Sequence, residues 1–118
     1  MIIIIEAGAT KSDWRILEGG RQRQLLLPGI NVSTSDEGHN LDVLSRGLAE
    51  AGAPRIDGLF LYVAGIVTPE VRERYSAYVR TLVDVGLIEI NDDLVAAARA
   101  VCGRAHARRR HRQDRYRI

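Results

Sequence analysis

The chain contains one cysteine, one lysine and no long hydrophobic run, and each shortage excludes something. Cys102 alone can form neither an internal disulfide nor a cysteine-based zinc cluster, which suits a reducing compartment. It lies in an Ala-rich stretch that reads as buried helix. The apolar start is four isoleucines long, with no basic flank before it and no small-residue cleavage site after it. Neither a signal peptide nor a membrane span is expected, so a cytoplasmic location without membrane partners follows. His39, His106 and His111 have no metal-ligand spacing, and His39 reads as a solvated helix residue. The motif GxxxxGK[ST] is missing, as is GxGxxG, which excludes a P-loop and a dinucleotide fingerprint.

What is present fits one domain: 118 residues, 46% hydrophobic and 27% charged. The net charge of +2 conceals two populations. Residues 104–118 hold seven Arg and one Asp, or +6, which leaves residues 1–103 at −4. Clustered arginine can neutralise phosphates without a fold, so a nucleic-acid-binding arm is one alternative function. The body offers no basic patch to help it, so nucleic acid is not the expected partner.

Four isoleucines leading to Glu6 predict a strand buried on both faces. The segment 13–29 has two short strand-like runs around Gly19-Gly20, a hairpin signal, and ends at Pro28-Gly29. From Ser35, acidic residues precede Leu41, Val43, Leu44 and Leu48 on one face, predicting a helix over 35–51 that closes at Gly52. The run IDGLFLYVAGI predicts a second buried strand in this half. Pro69 then opens a helix closing at Gly86, LIEIN is a third buried strand, and DDLVAAARAVCG is a carboxylate-capped helix ending at Gly103. Tyr62, Tyr75 and Tyr78 read as core and helix-face residues. The predicted fold class is α/β, with the order β-β-β-α-β-α-β-α: three antiparallel strands extended by parallel ones, with helices packed on the sheet. No repeat or low-complexity linker interrupts residues 1–103.

The single lysine, Lys11, follows a small-residue turn placed straight after the most hydrophobic strand. Gly8 and Ala9 allow close backbone approach, and a positive φ at Gly8 would aim successive amides at an anion. Thr10 adds a hydroxyl, Lys11 a cation, and Glu6 can hold Mg²⁺ directly or through water. Phosphate binding is the natural chemistry of such a turn. A strand-turn-strand with no ligand is the plainer alternative.

The stretch IIIIEAGATKSDW resembles the first phosphate motif of the sugar kinase, Hsp70 and actin superfamily, in which an Asp ending strand one precedes a small-Gly-x-Thr-Lys turn. More narrowly it resembles the N-acetylglucosamine kinase-like branch, grouped with the BadF/BadG/BcrA/BcrD-type ATPases. GIN at 29–31, YVAG at 62–65 and NDDLVAAARAVCG at 91–103 recur in that branch's order and spacing. The likeness spans residues 1–103. It implies a ribonuclease H-like, actin-like ATPase lobe and phosphoryl transfer from ATP, with Mg²⁺, to an amino sugar such as N-acetylglucosamine. By the same resemblance, Gly8, Ala9, Thr10 and Lys11 lie near the ATP phosphates and Glu6 near the metal. Asn31 meets a sugar hydroxyl or the N-acetyl group, Gly65 lines the sugar pocket, and Asp93 is the general base. A carboxylate at a strand-to-helix junction suits that last role, since a sugar hydroxyl must lose its proton as the phosphoryl group arrives. Asp92 or Asp93 can equally cap the helix, and Asn31 can be a turn residue.

Two departures from the family pattern stand out. Glu6 replaces the Asp and reaches about 1 Å further, in a site where short reach matters. The second phosphate loop, the adenosine segment and the C-terminal lobe have no counterpart after Gly103. Residues 104–118 are accordingly expected to be a disordered or out-of-frame Arg-rich tail. The 1–103 lobe is expected to be inactive alone, its second lobe supplied by another polypeptide or its exposed face covered by self-association. An activator-type ATPase of acyl-CoA dehydratases is a further alternative, weakened by the lack of cluster-binding cysteines.

Overall fold

The computed structural model describes residues 1–34, 36–52 and 55–93. Five strands and two helices follow one another as β1 (Ile2–Ala7), β2 (Lys11–Glu18), β3 (Arg21–Pro28), α1 (Glu37–Ala51), β4 (Arg55–Val63), α2 (Pro69–Leu82) and β5 (Asp84–Asp92). The expected final helix, after Asp93, and the Arg-rich tail lie outside the described residues, as does Cys102.

The strands form one mixed sheet in the order β3-β2-β1-β4-β5. β2 pairs antiparallel with both β1 and β3, and β4 pairs parallel with both β1 and β5. The hairpin turns where expected: Gly19 and Gly20 have φ of +56° and +79°, the two positive values that a tight two-residue turn between twisted strands requires. Parallel β4 and β5 need a crossover, which α2 supplies.

One face of the sheet carries the core. Ile3, Ile5, Trp14, Ile16, Leu59, Leu61 and Val63 are buried there beneath Val43, Leu44 and Leu48 of α1 and Val71, Tyr75 and Val79 of α2. α1 comes so close to β2 that a side chain on Gly47 would overlap the Trp14 ring. Trp14 is held from below, its Nε1 donating to Ser12 Oγ at 3.0 Å, and Ser12 Oγ donates in turn to Pro28 O at 2.8 Å.

Four expectations need correction. LIEIN, expected to be buried, lies in β5, where only Val85 and Ile90 are buried and Leu87 is 53% exposed. β1 is buried on one face only: Ile3, Ile5 and Ala7 are inside, while Ile2 is 39% exposed and Glu6 is exposed. An all-apolar run reads as two-sided burial, but no described element covers the second face. Helix α1 starts at Glu37 rather than residue 35, because Asp36 is extended and its carboxylate accepts from His39 N at 3.2 Å. Gly86 does not stop α2. The helix ends at Leu82, and Gly86 lies inside β5, where a Cβ would meet Asp57 O at 2.9 Å.

Candidate functional site

β1, β4 and β5 run parallel and finish in register, Ala7 opposite Val63 and Val63 opposite Asp92. β3 runs the same way through its pairing with β2, so Pro28 opposite Lys11 brings its end to the same edge of the sheet. Four connections therefore leave one edge: the 8–10 bend, the chain after Pro28, the turn after Val63 and the chain after Asp92. With strands about 4.8 Å apart, β1 and β5 end roughly 10 Å from each other. This topology gathers Gly8, Ala9, Thr10, Lys11, Asn31, Gly65 and Asp93 along one edge, although their spacing in sequence is wide.

The chain after β3 locks these connections together. Ile30 N donates to Gly8 O at 3.0 Å, Val32 N to Ala64 O at 3.0 Å, and Ala64 N to Ala7 O at 3.0 Å. Asn31 and Ala64 form an isolated parallel bridge. At Gly29 the chain passes so near the bend that a Cβ would overlap Gly8 O and the main chain of Ala9. His39 was expected to be solvated. It is exposed, but its Nε2 lies 3.0 Å from Gly29 O and anchors this passage as a donor.

At the bend, Gly8 N donates to Lys11 O at 2.9 Å, closing the hairpin. Gly8 is not among the glycines with positive φ, and its amide is used internally. The expected nest of amides beginning at Gly8 is therefore not formed. The donors left at the tip are the Ala9 and Thr10 amides, which make no hydrogen bond among the described residues, together with the Thr10 hydroxyl and the Lys11 ammonium. Gly8, Ala9, Thr10 and Lys11 are all exposed. Amides of this kind beside an ammonium are groups that an anion can bind.

The positive φ sits instead at Gly65, at +97°. A Cβ there would come within 2.8 Å of Asn31 Oδ1, Ser33 N and Ser33 Oγ. Asn31 Oδ1 accepts from Ser33 N at 2.9 Å and Thr34 N at 3.1 Å, while Ser33 Oγ accepts from Ile66 N at 2.8 Å. Asn31 is thus a turn residue through its side-chain oxygen.

Glu6 lies on the open face, in a cross-strand row with Asp13 and Tyr62. It lines a shallow hollow of about 280 Å³ with Ile4, Asp13, Arg15, Leu17 and Gln22. Asp13 is engaged: Arg15 Nε donates to it at 3.1 Å and Gln24 Nε2 at 3.0 Å. The Arg15 hydrogen bond, with help from Gln24, holds the Asp13 carboxyl below the usual aspartate range. No group of three metal-ligating side chains occurs among the described residues. One exposed carboxylate, beside an Asp13 already engaged by Arg15, does not make a protein-built metal cage; any Mg²⁺ here would be held through water. Tyr62, read as a core residue, is half-buried on this open face, whereas Tyr75 is 1% exposed in the core. Asp93 is exposed one residue beyond the pairing of Asp92 with Val63.

Sequence reasoning missed Gly29 as the steric key to the bend, Ser33 as the link to Ile66, and Asn40. Gly29-Ile30-Asn31 was visible as a motif, but the close approach that demands its glycine is a tertiary fact. Compared with protein-family models and with curated proteins, the chain matches none. No helix among the described residues is long and apolar enough to cross a membrane.

Proposed function

We propose that this chain carries the phosphate- and sugar-binding lobe of an N-acetylglucosamine kinase-like phosphotransferase, built on a ribonuclease H-like sheet. The element order β-β-β-α-β-α-β and the strand order β3-β2-β1-β4-β5 support the fold reading. The observation that carries the functional reading is the convergence of the 8–11 bend, Asn31, Gly65 and Asp93 on one sheet edge.

In this reading the Ala9 and Thr10 amides, the Thr10 hydroxyl and Lys11 take the negative charge of the ATP phosphates, where catalysis of phosphoryl transfer is mostly positioning and charge neutralisation. Asn31 Nδ2 donates to an oxygen of the amino sugar, and Gly65 keeps the adjacent wall free of a side chain. Asp93 accepts the proton of the attacking hydroxyl. Glu6 holds Mg²⁺ through water, and the ion when bound neutralises phosphate charge. Because the bend is exposed, the described lobe cannot exclude water from the phosphates, and efficient turnover requires a covering lobe.

Calorimetric titration of the full chain with Mg-ATP and with N-acetylglucosamine tests this. Binding of Mg-ATP that weakens at least tenfold in Lys11→Ala, and sugar binding that weakens in Asn31→Ala, are expected. Absence of binding by either compound overturns the reading. Turnover without a partner is expected far below the roughly 1–100 s⁻¹ of ordinary kinases.

A further inference from the structure

We propose that Asn40 is a positioning residue for the sugar half of this site, an inference that rests on the functional reading above. Asn40 is fully buried in the first turns of α1. Its Nδ2 donates to the main-chain oxygen of Asn31 at 3.0 Å and to Tyr75 Oη, on α2, at 3.1 Å. One planar group thus ties the β3–α1 connection to both helices.

The orientation of that group is dictated by its partners. Asn31 O can only accept, so the nitrogen must face it, and Asn40 Oδ1 is left buried without a hydrogen-bond partner among the described residues. A buried orphan acceptor is a cost that an apolar side chain at this position would not carry. The arrangement is poor as packing and good as a directional anchor.

What it anchors is the part of the site that would meet the sugar. Asn31 folds its side-chain oxygen onto the Ser33 and Thr34 amides, Ser33 Oγ receives Ile66 N, and Gly65 presses against Asn31 and Ser33. Releasing the Asn31 carbonyl shifts all of these together. The bend keeps its own closing bond, Gly8 N to Lys11 O, and the Ile30 N to Gly8 O bond lies on the β3 side of the released carbonyl. Loss of Asn40 therefore acts on the sugar side and spares the phosphate side.

The test compares the full chain with Asn40→Asp, which keeps the shape and replaces the two amide donors by at most one hydroxyl, and with Tyr75→Phe, which removes only the α2 acceptor. Titrations use N-acetylglucosamine and Mg-ATP, and amide hydrogen exchange is followed by NMR. Asn40→Asp is expected to weaken N-acetylglucosamine binding at least tenfold and Mg-ATP binding less than twofold. Exchange at Ser33, Thr34 and Ile66 is expected to quicken at least tenfold, with Gly8 unchanged. Tyr75→Phe shows the same pattern at smaller amplitude and serves alone if Asn40→Asp does not fold. Equal loss of both compounds, or unchanged exchange at those three amides, overturns the proposal. If the unmodified chain binds neither compound, the functional reading fails by itself, and the exchange pattern still decides whether Asn40 holds the loop.

Discussion

A methyl group on Gly29 would overlap the main chain of Gly8 and Ala9, whereas one on Gly8 would come no nearer than 3.6 Å to Lys11 O. The two glycines of the bend therefore differ in what they permit. Gly29→Ala is expected to destabilise by about 1–3 kcal/mol, the usual cost of forcing atoms into filled space, because rigid backbone cannot swing aside. Gly8→Ala is expected to stay within about 0.5 kcal/mol. Urea unfolding of the two variants checks both. Asp13 supplies a pH dependence. Its folded carboxyl is held below the ordinary 3.8, chiefly by the Arg15 hydrogen bond. A depressed carboxylate contributes stability that is complete above its unfolded value and fades as the pH falls through its lower folded value. Asp13→Asn should therefore flatten the acid limb of the stability curve below about pH 4 and leave its neutral-to-basic shape alone. An unaltered acid limb in that variant would show that Asp13 is not stabilised by its neighbours.

Among the elements, α1 depends on contributions from outside itself. Asp36 caps its start, and Asp36→Ala should cost about 0.5–2 kcal/mol by thermal or urea unfolding. Its last turn has no basic residue; instead Arg23 of β3 donates to Ala51 O at 2.7 Å and Glu50 O at 3.4 Å, placing a cation on the negative end of the helix. Gly47 in its middle would ordinarily be improved by Ala by about 1 kcal/mol. Here the Trp14 ring, fixed by Ser12, fills that space, so Gly47→Ala should destabilise, and a gain in melting temperature would refute this packing. Such details explain what the sequence made legible. Apolar runs, the Gly19-Gly20 turn and the cap residues are local signals, and they located the hairpin, α1, β4 and the start of α2. The end of α2 was misread because Gly86 is both a plausible helix stop and, in fact, a strand residue required by the nearby Asp57 carbonyl. Nothing local distinguishes the two. Asn40 was unreadable for the same reason, since its partners lie 9 and 35 residues away.

At the scale of the molecule, a hairpin followed by crossovers obeys the rules of connection, and the mixed α/β sheet was legible in the element sequence. The open second face was not, because an isoleucine run has no mark saying which side stays uncovered. That face carries Glu6, Asp13 and Arg15 beside Leu26, which is 67% exposed. The central claim is that the tip of the 8–11 bend receives a nucleotide's phosphates. Titrating isotopically labelled full chain with Mg-ATP while recording amide NMR shifts tests it directly. The largest shifts are predicted at Ala9 and Thr10, abolished in Lys11→Ala, with the Gly19-Gly20 turn silent. Shifts centred elsewhere, or none at saturating nucleotide, would contradict it.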